Sequence, residues 1–238
     1  MLDQWHTGIV TRIIQETPNT RRFWIRIPGL EKFDFKAGQF VTLDLPIHEK
    51  KNKRWRSYSI ASAPDGTNEI ELVIVLLEGG LGTNYLFNEV REGSELLLRG
   101  PQGVFTLPEN LERDVFLICT GTGIAPFRSM VNHMHSMGTP HQDIYILFGT
   151  RTKKDLLYYG EMTMLQEKLE KFHYLPTLSR EPWEGRSGYV HDIYEEILAD
   201  RRAAHFYLCG WKAMIDEAKQ RITAMGYDRK SIHQELYG

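Results

Sequence analysis

Four consecutive residues in the first half of the chain, Arg56-Ser57-Tyr58-Ser59, combine a cation, an aromatic ring and two hydroxyl groups. Such a set could bind a phosphate, cover the face of a flat ring and hydrogen-bond the edge of that ring. In a strand, Arg56 and Tyr58 would lie on one face, and Ser57 and Ser59 on the other. An exposed strand with a stray arginine would contain the same residues, so these four do not decide the function alone.

Two glycine-rich segments could bind phosphate through the backbone. Gly121-Thr122-Gly123-Ile124-Ala125-Pro126 follows an apolar run and opens a helical pattern, where free N–H groups and the helix dipole attract anions. Pro126 replaces the third glycine of the dinucleotide fingerprint, and no Lys-Ser/Thr pair follows as in a P-loop. Gly79-Gly80-Leu81-Gly82-Thr83 also lies between a strand and a helix. The alternative is an ordinary tight strand–helix turn for the first segment and a flexible hairpin or helix-entry loop for the second.

The first half of the chain predicts short strands that would position the first motif. Turn residues separate β-prone runs at 9–14, 23–27, 40–45, 58–61, 70–77 and 95–98. One helix is expected from about residue 82 to residue 90. Strands this short and closely spaced favour an antiparallel barrel.

The second half predicts a different architecture. Residues 115–119 form a continuous apolar run, which is typical of a strand buried on both faces. Further strands at 144–148, 174–178 and 205–208 alternate with helical patterns, the last of which runs from about 212 to 225. This alternation favours a doubly wound parallel sheet. We therefore expect two domains, 1–108 and 109–238, with the seam near Leu107-Pro108-Glu109-Asn110.

Composition narrows the class of protein. The 238 residues carry a formal net charge of -2, so no global field favours nucleic acid. The 2 Cys are too few for a disulfide framework or a Cys-ligated iron–sulfur cluster. The nine His show no metal-ligand spacing, and we expect no metal site. We found no apolar run of membrane-span length and no signal-peptide pattern, and we predict a cytoplasmic protein.

Taken together, the motifs resemble those of the ferredoxin–NADP reductase family. Arg56 to Ser59, Gly79 to Thr83, Gly100-Pro101-Gln102-Gly103, Gly121 to Pro126 and Cys209-Gly210 occur in the order of that family. The resemblance covers essentially the whole chain. It implies an FAD-binding β-barrel followed by an NADP-binding α/β domain, which matches the two architectures above.

The resemblance also implies roles for single residues. Arg56 would hold the FAD pyrophosphate, Tyr58 would pack on the flavin and its ribityl chain, and Ser59 would lie near the reactive ring nitrogen. The FAD-binding set is Arg56, Ser57, Tyr58, Ser59, Gly80, Gly82, Thr83 and Tyr237. The nicotinamide nucleotide's pyrophosphate would be received by Gly121, Thr122 and Gly123.

The end of the chain resembles the tail of plant-type family members. Glu235 and Tyr237 match their spacing of a glutamate and an aromatic residue that lies over the flavin, although Gly238 follows the tyrosine here. Tyr237 would then swing aside before nicotinamide can stack. Ser59, Cys209 and Glu235 would surround the reacting rings as catalytic residues. The alternatives are a small buried Cys at a strand end and a disordered tail of two residues.

Arginines after two predicted strands favour NADP over NAD. The second strand of the α/β half ends in Thr150-Arg151, where NAD sites often have a carboxylate, and the third ends in Ser179-Arg180. By the same resemblance, the residues that would contact the 2′-phosphate are Arg151, Ser179, Arg180 and Arg186, and Tyr189 could stack on adenine. Surface arginines after strands are common, which is the competing explanation.

We predict an FAD-dependent oxidoreductase that transfers hydride between NADPH and FAD and single electrons to or from a separate ferredoxin or flavodoxin. One alternative is the reductase component of an oxygenase, which would share every motif. Another is a non-catalytic nucleotide-binding subunit of a larger complex. The basic run Lys50-Lys51-Asn52-Lys53-Arg54 could steer an acidic partner, or it could be a solvated loop.

Overall fold

The computed structural model describes residues 4–236 and contains two compact units. Unit 1 comprises Met1–Thr106 and Ala125–Met134, and unit 2 comprises Leu107–Ile124 and His135–Gly238. One helical segment from the second half of the sequence therefore lies in unit 1. The domain boundary that the sequence predicts between residues 108 and 109 remains a prediction.

Unit 1 is built on six antiparallel strands. They are β1 (Trp5–Thr17), β2 (Thr20–Arg26), β3 (Phe40–Asp44), β4 (Trp55–Ser59), β5 (Glu69–Val75) and β6 (Glu95–Gln102). Their order in the sheet is β4-β3-β6-β1-β2-β5. Just beyond β4, Ile60 forms an antiparallel bridge with Leu72 of β5, which joins the two ends of this order and gives the barrel.

The core of unit 1 lies inside this barrel. Val10, Ile25, Leu43, Leu72 and Leu98 come from five different strands and are all 0% exposed. Their alternation with outward residues follows the period of two of a β-strand. Helix α1 (Leu81–Asn88) crosses from β5 to β6 and adds a buried Leu86 to the same core.

Unit 2 is a six-stranded parallel sheet. Its strands are β7 (Asp114–Thr120), β8 (Ile144–Thr150), β9 (Phe172–Leu178), β10 (Arg186–Ser187), β11 (Ala204–Gly210) and β12 (Ile232–Leu236). The order is β10-β9-β8-β7-β11-β12. The connecting helices are α2 (Ile124–Met137), α3 (Tyr159–Lys168), α4 (Val190–Ile197) and α5 (Lys212–Ala224). All pairings are parallel, as the continuous apolar runs predicted.

The expected fold class is confirmed, and two details differ from the sequence prediction. β10 and β12 were not predicted. The two residues named as a possible disordered tail, Tyr237 and Gly238, lie outside the described residues. Among the helices of residues 4–236, none combines the length and apolarity needed to cross a membrane.

Candidate functional site

Arg56 lies against the N-terminus of helix α1. A Cβ added at Gly82 would lie 3.0 Å from Arg56 Cγ and 3.2 Å from its Nε, so the arginine packs closely on this glycine and would have to shift to accommodate a side chain there. The guanidinium donates to the carbonyls of Lys53 and Trp55, at 3.0 and 2.8 Å. The arginine of the first motif and the second glycine-rich segment thus lie together at the N-terminus of α1, although they are far apart in the sequence.

The loop before α1 leaves the first N–H groups of the helix without a side-chain cap. The N-cap is Gly80, which has no side chain to accept from them. The Thr83 hydroxyl turns back to the loop instead, accepting from Leu77 N at 3.1 Å and donating to Gly80 O at 3.2 Å. Uncapped N–H groups beside an arginine suit a diphosphate, so these residues fit the FAD pyrophosphate that the sequence predicted.

The other residues of the first motif divide between the barrel core and its outer surface. Tyr58 packs against the barrel core, and burial raises the pKa of its hydroxyl to about 12, although Arg56 opposes the shift. Ser57 is exposed, and its hydroxyl bonds that of Thr42 at 3.0 Å. Ser59 is 4% exposed and ends β4, opposite Phe40 of β3.

The glycine turn of unit 2 is shaped by the strand beside it. Gly121–Gly123 form a single 3-10 turn between β7 and α2, and Gly121 has φ of +54°. A Cβ at Gly123 would lie 2.4 Å from the carbonyl oxygen of Cys209. Gly123 is therefore required by close packing on β11, a reason that differs from the predicted approach of a pyrophosphate. The turn has no side-chain cap, as an anion site requires.

The carboxyl ends of β8 and β9 bring two of the predicted arginines together. Arg180 N donates to Arg151 O at 3.0 Å, and both side chains are exposed. Ser179 is tied to the same strand end, where its N–H and its hydroxyl donate to Thr150 O at 3.0 and 3.3 Å. The predicted 2′-phosphate contacts thus share one edge of the sheet.

The guanidinium of Arg186 forms an ion pair with a carboxylate. Its Nη1 lies 2.8 Å from Glu196 Oε2, and this hydrogen bond raises the pKa of the guanidinium. A phosphate would have to compete with Glu196 for this side chain. Tyr189 is 69% exposed at the start of α4, where its ring is accessible to a ligand.

Cys209 and Glu235 are cross-strand neighbours. Cys119, Cys209 and Glu235 form one row across β7, β11 and β12. Both thiols are 0% exposed, and burial, with a smaller contribution from Cys209, raises the pKa of Cys119. Glu235 is half-buried. Ser59 belongs to unit 1, and Tyr237 lies outside the described residues.

A buried carboxylate that the sequence analysis did not single out lies in β5. Glu71 is 2% exposed and is bonded by Arg22 Nε at 2.6 Å and by Arg128 Nη1 at 2.9 Å. A glutamate inside an apolar strand pattern signals a buried charge that must be paired, but the partners are distant in sequence. No cluster of three metal-ligating side chains occurs within residues 4–236.

Comparison with known proteins agrees with the two units. Residues 7–107 match an oxidoreductase FAD-binding domain, and residues 117–220 match an oxidoreductase NAD-binding domain. Ferredoxin--NADP reductase B of Sorangium cellulosum is 36% identical over 214 residues, which are 86% of this chain and 86% of that protein. The chain belongs to the ferredoxin–NADP reductase family. It is an FAD-dependent oxidoreductase, as the sequence predicted, and the expected cofactors FAD and NADP are those of this family.

Electron-transfer components of oxygenase systems are also similar to this chain. The anthranilate 1,2-dioxygenase electron transfer component of Acinetobacter baylyi is 32% identical over 211 residues, which cover 87% of this chain and 60% of that protein. A solved structure, the Amycolatopsis cytochrome P450 reductase GcoB, has a TM-score of 0.88 at 27% identity, covering 98% of this chain and 70% of that one. The chain thus spans less than two thirds of the anthranilate relative.

Proposed function

We propose that this reductase transfers hydride between NADPH and FAD and exchanges single electrons with a separate carrier such as ferredoxin or flavodoxin. The contact of Arg56 with Gly82 at the uncapped start of α1 carries the proposal, because it builds a diphosphate site from the two predicted FAD motifs. Bound FAD would supply the conversion between two-electron and one-electron transfer.

The chain's own residues would bind and orient the cofactors. Arg56 and the backbone of Gly80, Gly82 and Thr83 would bind the FAD pyrophosphate, and Tyr58 would cover the ring system. Ser59 would hydrogen-bond the edge of the ring. Orientation of this kind is the main contribution a protein makes when the cofactor carries the chemistry.

The nucleotide side of the reaction would use unit 2. The uncapped turn Gly121-Thr122-Gly123 would receive the pyrophosphate of NADPH. Cys209 and Glu235, adjacent in the sheet, would line the nicotinamide position and balance its charge. Arg151, Ser179 and Arg180 would bind the 2′-phosphate, Arg186 would join them only by leaving Glu196, and Tyr189 would stack on adenine.

The partner would be an acidic protein. Lys50, Lys51 and Lys53 are exposed just before β4, and a local cluster of cations steers an acidic carrier. An oxygenase component is the second candidate, favoured by the match to the anthranilate dioxygenase component. A cytoplasmic location is part of the proposal, supported by two cysteines that are both free.

An anaerobic absorbance titration of the FAD-loaded protein tests this function. NADPH should bleach the flavin band rapidly, and NADH should do so far more slowly. Addition of oxidised ferredoxin or flavodoxin should then restore the band. Bleaching by NADH alone would overturn the choice of NADP, and no bleaching by either nucleotide would contradict the hydride reaction itself.

A further inference from the structure

The segment that follows Ser59 leaves the β3–β4 ladder and meets β5 at the bridge between Ile60 and Leu72. The pairing of β4 with β3 ends at Ser59 and Phe40. Beyond it, Ile60 N donates to Gln39 O at 2.9 Å and Ala61 N donates to Glu71 O at 2.8 Å. These two hydrogen bonds hold the N–H groups of Ile60 and Ala61, but they do not involve the carbonyl groups of the segment.

The carbonyl groups of the same segment are held by helix α2. Arg128 Nη1 donates to Ala61 O at 2.8 Å, and Ser129 Oγ donates to Ser62 O at 2.6 Å. Ser129 is 0% exposed, and the Arg128 side chain is 12% exposed. Residues 125–134 of α2 belong to unit 1, so these contacts lie within one compact unit.

Glu71 fixes the direction of the Arg128 side chain. Its carboxylate binds Arg128 Nη1 at 2.9 Å, while Arg22 occupies it from the other side through Nε and Nη2 at 2.6 and 3.2 Å. The Glu71 backbone N–H also donates to Ser62 Oγ at 3.0 Å. A guanidinium bound by a buried carboxylate has one stable orientation, because unpairing that charge would be costly.

We propose that Arg128 and Ser129, with Glu71, are positioning residues for the flavin-contacting Ser59. They hold the carbonyls of the residues two and three places after Ser59, and so fix the end of β4 against the ring edge. The inference rests on the proposed role of Ser59 in the hydride reaction. None of the three residues touches the cofactor in this scheme, and each acts through the backbone of residues 60–62.

The first test compares Ser129→Ala and Ser129→Thr with the wild type. Ser129→Ala removes the hydroxyl donor and Ser129→Thr keeps it, while Ser136→Ala on the exposed part of the same helix is the matched control. In the FAD-free proteins, hydrogen exchange of the amides of residues 60–62 should be about tenfold faster in Ser129→Ala only. Unchanged exchange at these amides would overturn the proposal, whatever the activity.

The second test measures the loaded enzymes by anaerobic stopped flow with saturating NADPH. Ser129→Ala should keep its FAD content and its KM for NADPH within about twofold, but lose about tenfold in the rate of flavin bleaching, since small misplacements are costly to oriented reactions. Ser129→Thr should recover most of that rate. Arg128→Gln should lower the rate in the same way and change the visible circular dichroism of the flavin.

The outcomes separate this inference from the proposed function. If the wild type itself does not bleach, the function fails. If the wild type bleaches and Ser129→Ala matches it, only the positioning role fails. Loss of FAD in proportion to the loss of rate would make Ser129 merely structural, and would also overturn the proposal.

Discussion

At the scale of single residues, the neighbour of an arginine differs from one place in the fold to the next. Arg56 lies on Gly82, Arg186 is paired with Glu196, and Glu71 is shared by Arg22 and Arg128. In the described contacts, Arg56 bonds only backbone carbonyls and no carboxylate. Its charge is therefore available to a ligand. The neighbour of an arginine therefore decides whether its charge is paired within the protein or would be available to a phosphate.

Arg56→Ala should weaken FAD binding about tenfold or more, because a charge-assisted hydrogen bond contributes about 1.5–3 kcal/mol. The measurement is the FAD content of purified protein and its Kd from fluorescence titration. Arg26→Ala, an exposed arginine on β2, is the matched control and should bind FAD normally. A fully flavinated Arg56→Ala protein would show that the barrel assignment of this residue is wrong.

The two thiols should be inert in the native protein. Burial raises the pKa of Cys119, so at pH 8 its thiol stays protonated in the folded state. Because the pKa of Cys119 is higher in the folded than in the unfolded state, the free energy of unfolding should fall as the pH rises above the thiol pKa of the unfolded chain, about 8.5. We expect no reaction with a disulfide reagent in buffer and two reactive thiols in denaturant. Rapid native labelling would contradict the buried row of Cys119 and Cys209.

At the scale of the elements, several of the predicted binding residues lie at the ends of strands. Short β-prone runs separated by turn residues predict the barrel strands, and the continuous apolar run at 115–119 with the strand–helix alternation after it predicts β7, β8, β9 and β11. The sequence of β12, Ile232-His233-Gln234-Glu235-Leu236, is mostly polar, and only its pairing with β11 makes it a strand. The Arg186–Glu196 pair was missed for the same reason, since it depends on packing between β10 and α4 and not on local pattern.

Arg180→Ala tests the nucleotide site at the ends of β8 and β9. The KM for NADPH should rise about tenfold, whereas that for NADH should stay within about twofold, because only NADPH has a 2′-phosphate to lose its partner. Arg113→Ala is the control, since this exposed arginine precedes β7 at the amino edge of the sheet. Equal changes for both nucleotides would contradict the 2′-phosphate site.

At the scale of the whole molecule, the two units do not divide the chain at one point. The segment Leu107-Pro108-Glu109-Asn110 lies between β6 and β7, and the seam expected there remains a prediction, whereas Ala125–Met134 belongs to unit 1. Phe127 and Ser129 of that segment are 0% exposed. Composition and hydrophobic periodicity do not predict that this helix belongs to both units. An amphipathic pattern indicates that one helix face is buried, but not against which unit it packs.

A cut at the predicted seam should not release the first half of the chain. Glu109 and Asn110 are exposed, so a specific protease site can be inserted between them. After cleavage, the two fragments should co-elute in size-exclusion chromatography, because α2 stays packed on unit 1. Arg128→Gln should make the cleaved protein dissociate more readily, and separate elution of the unmodified fragments would contradict the shared helix.

The shared helix also limits how such reductases can be recombined. A chimera that joins the first 108 residues of this protein to the second half of a relative would inherit Glu71 from one parent and residue 128 from the other. If the second parent lacks an arginine there, the barrel keeps a buried charge with one partner fewer, at a cost of several kcal/mol. A crossover placed after Met134 would take both residues from the same parent. We therefore expect that positions 71 and 128 must be exchanged together in a working chimera.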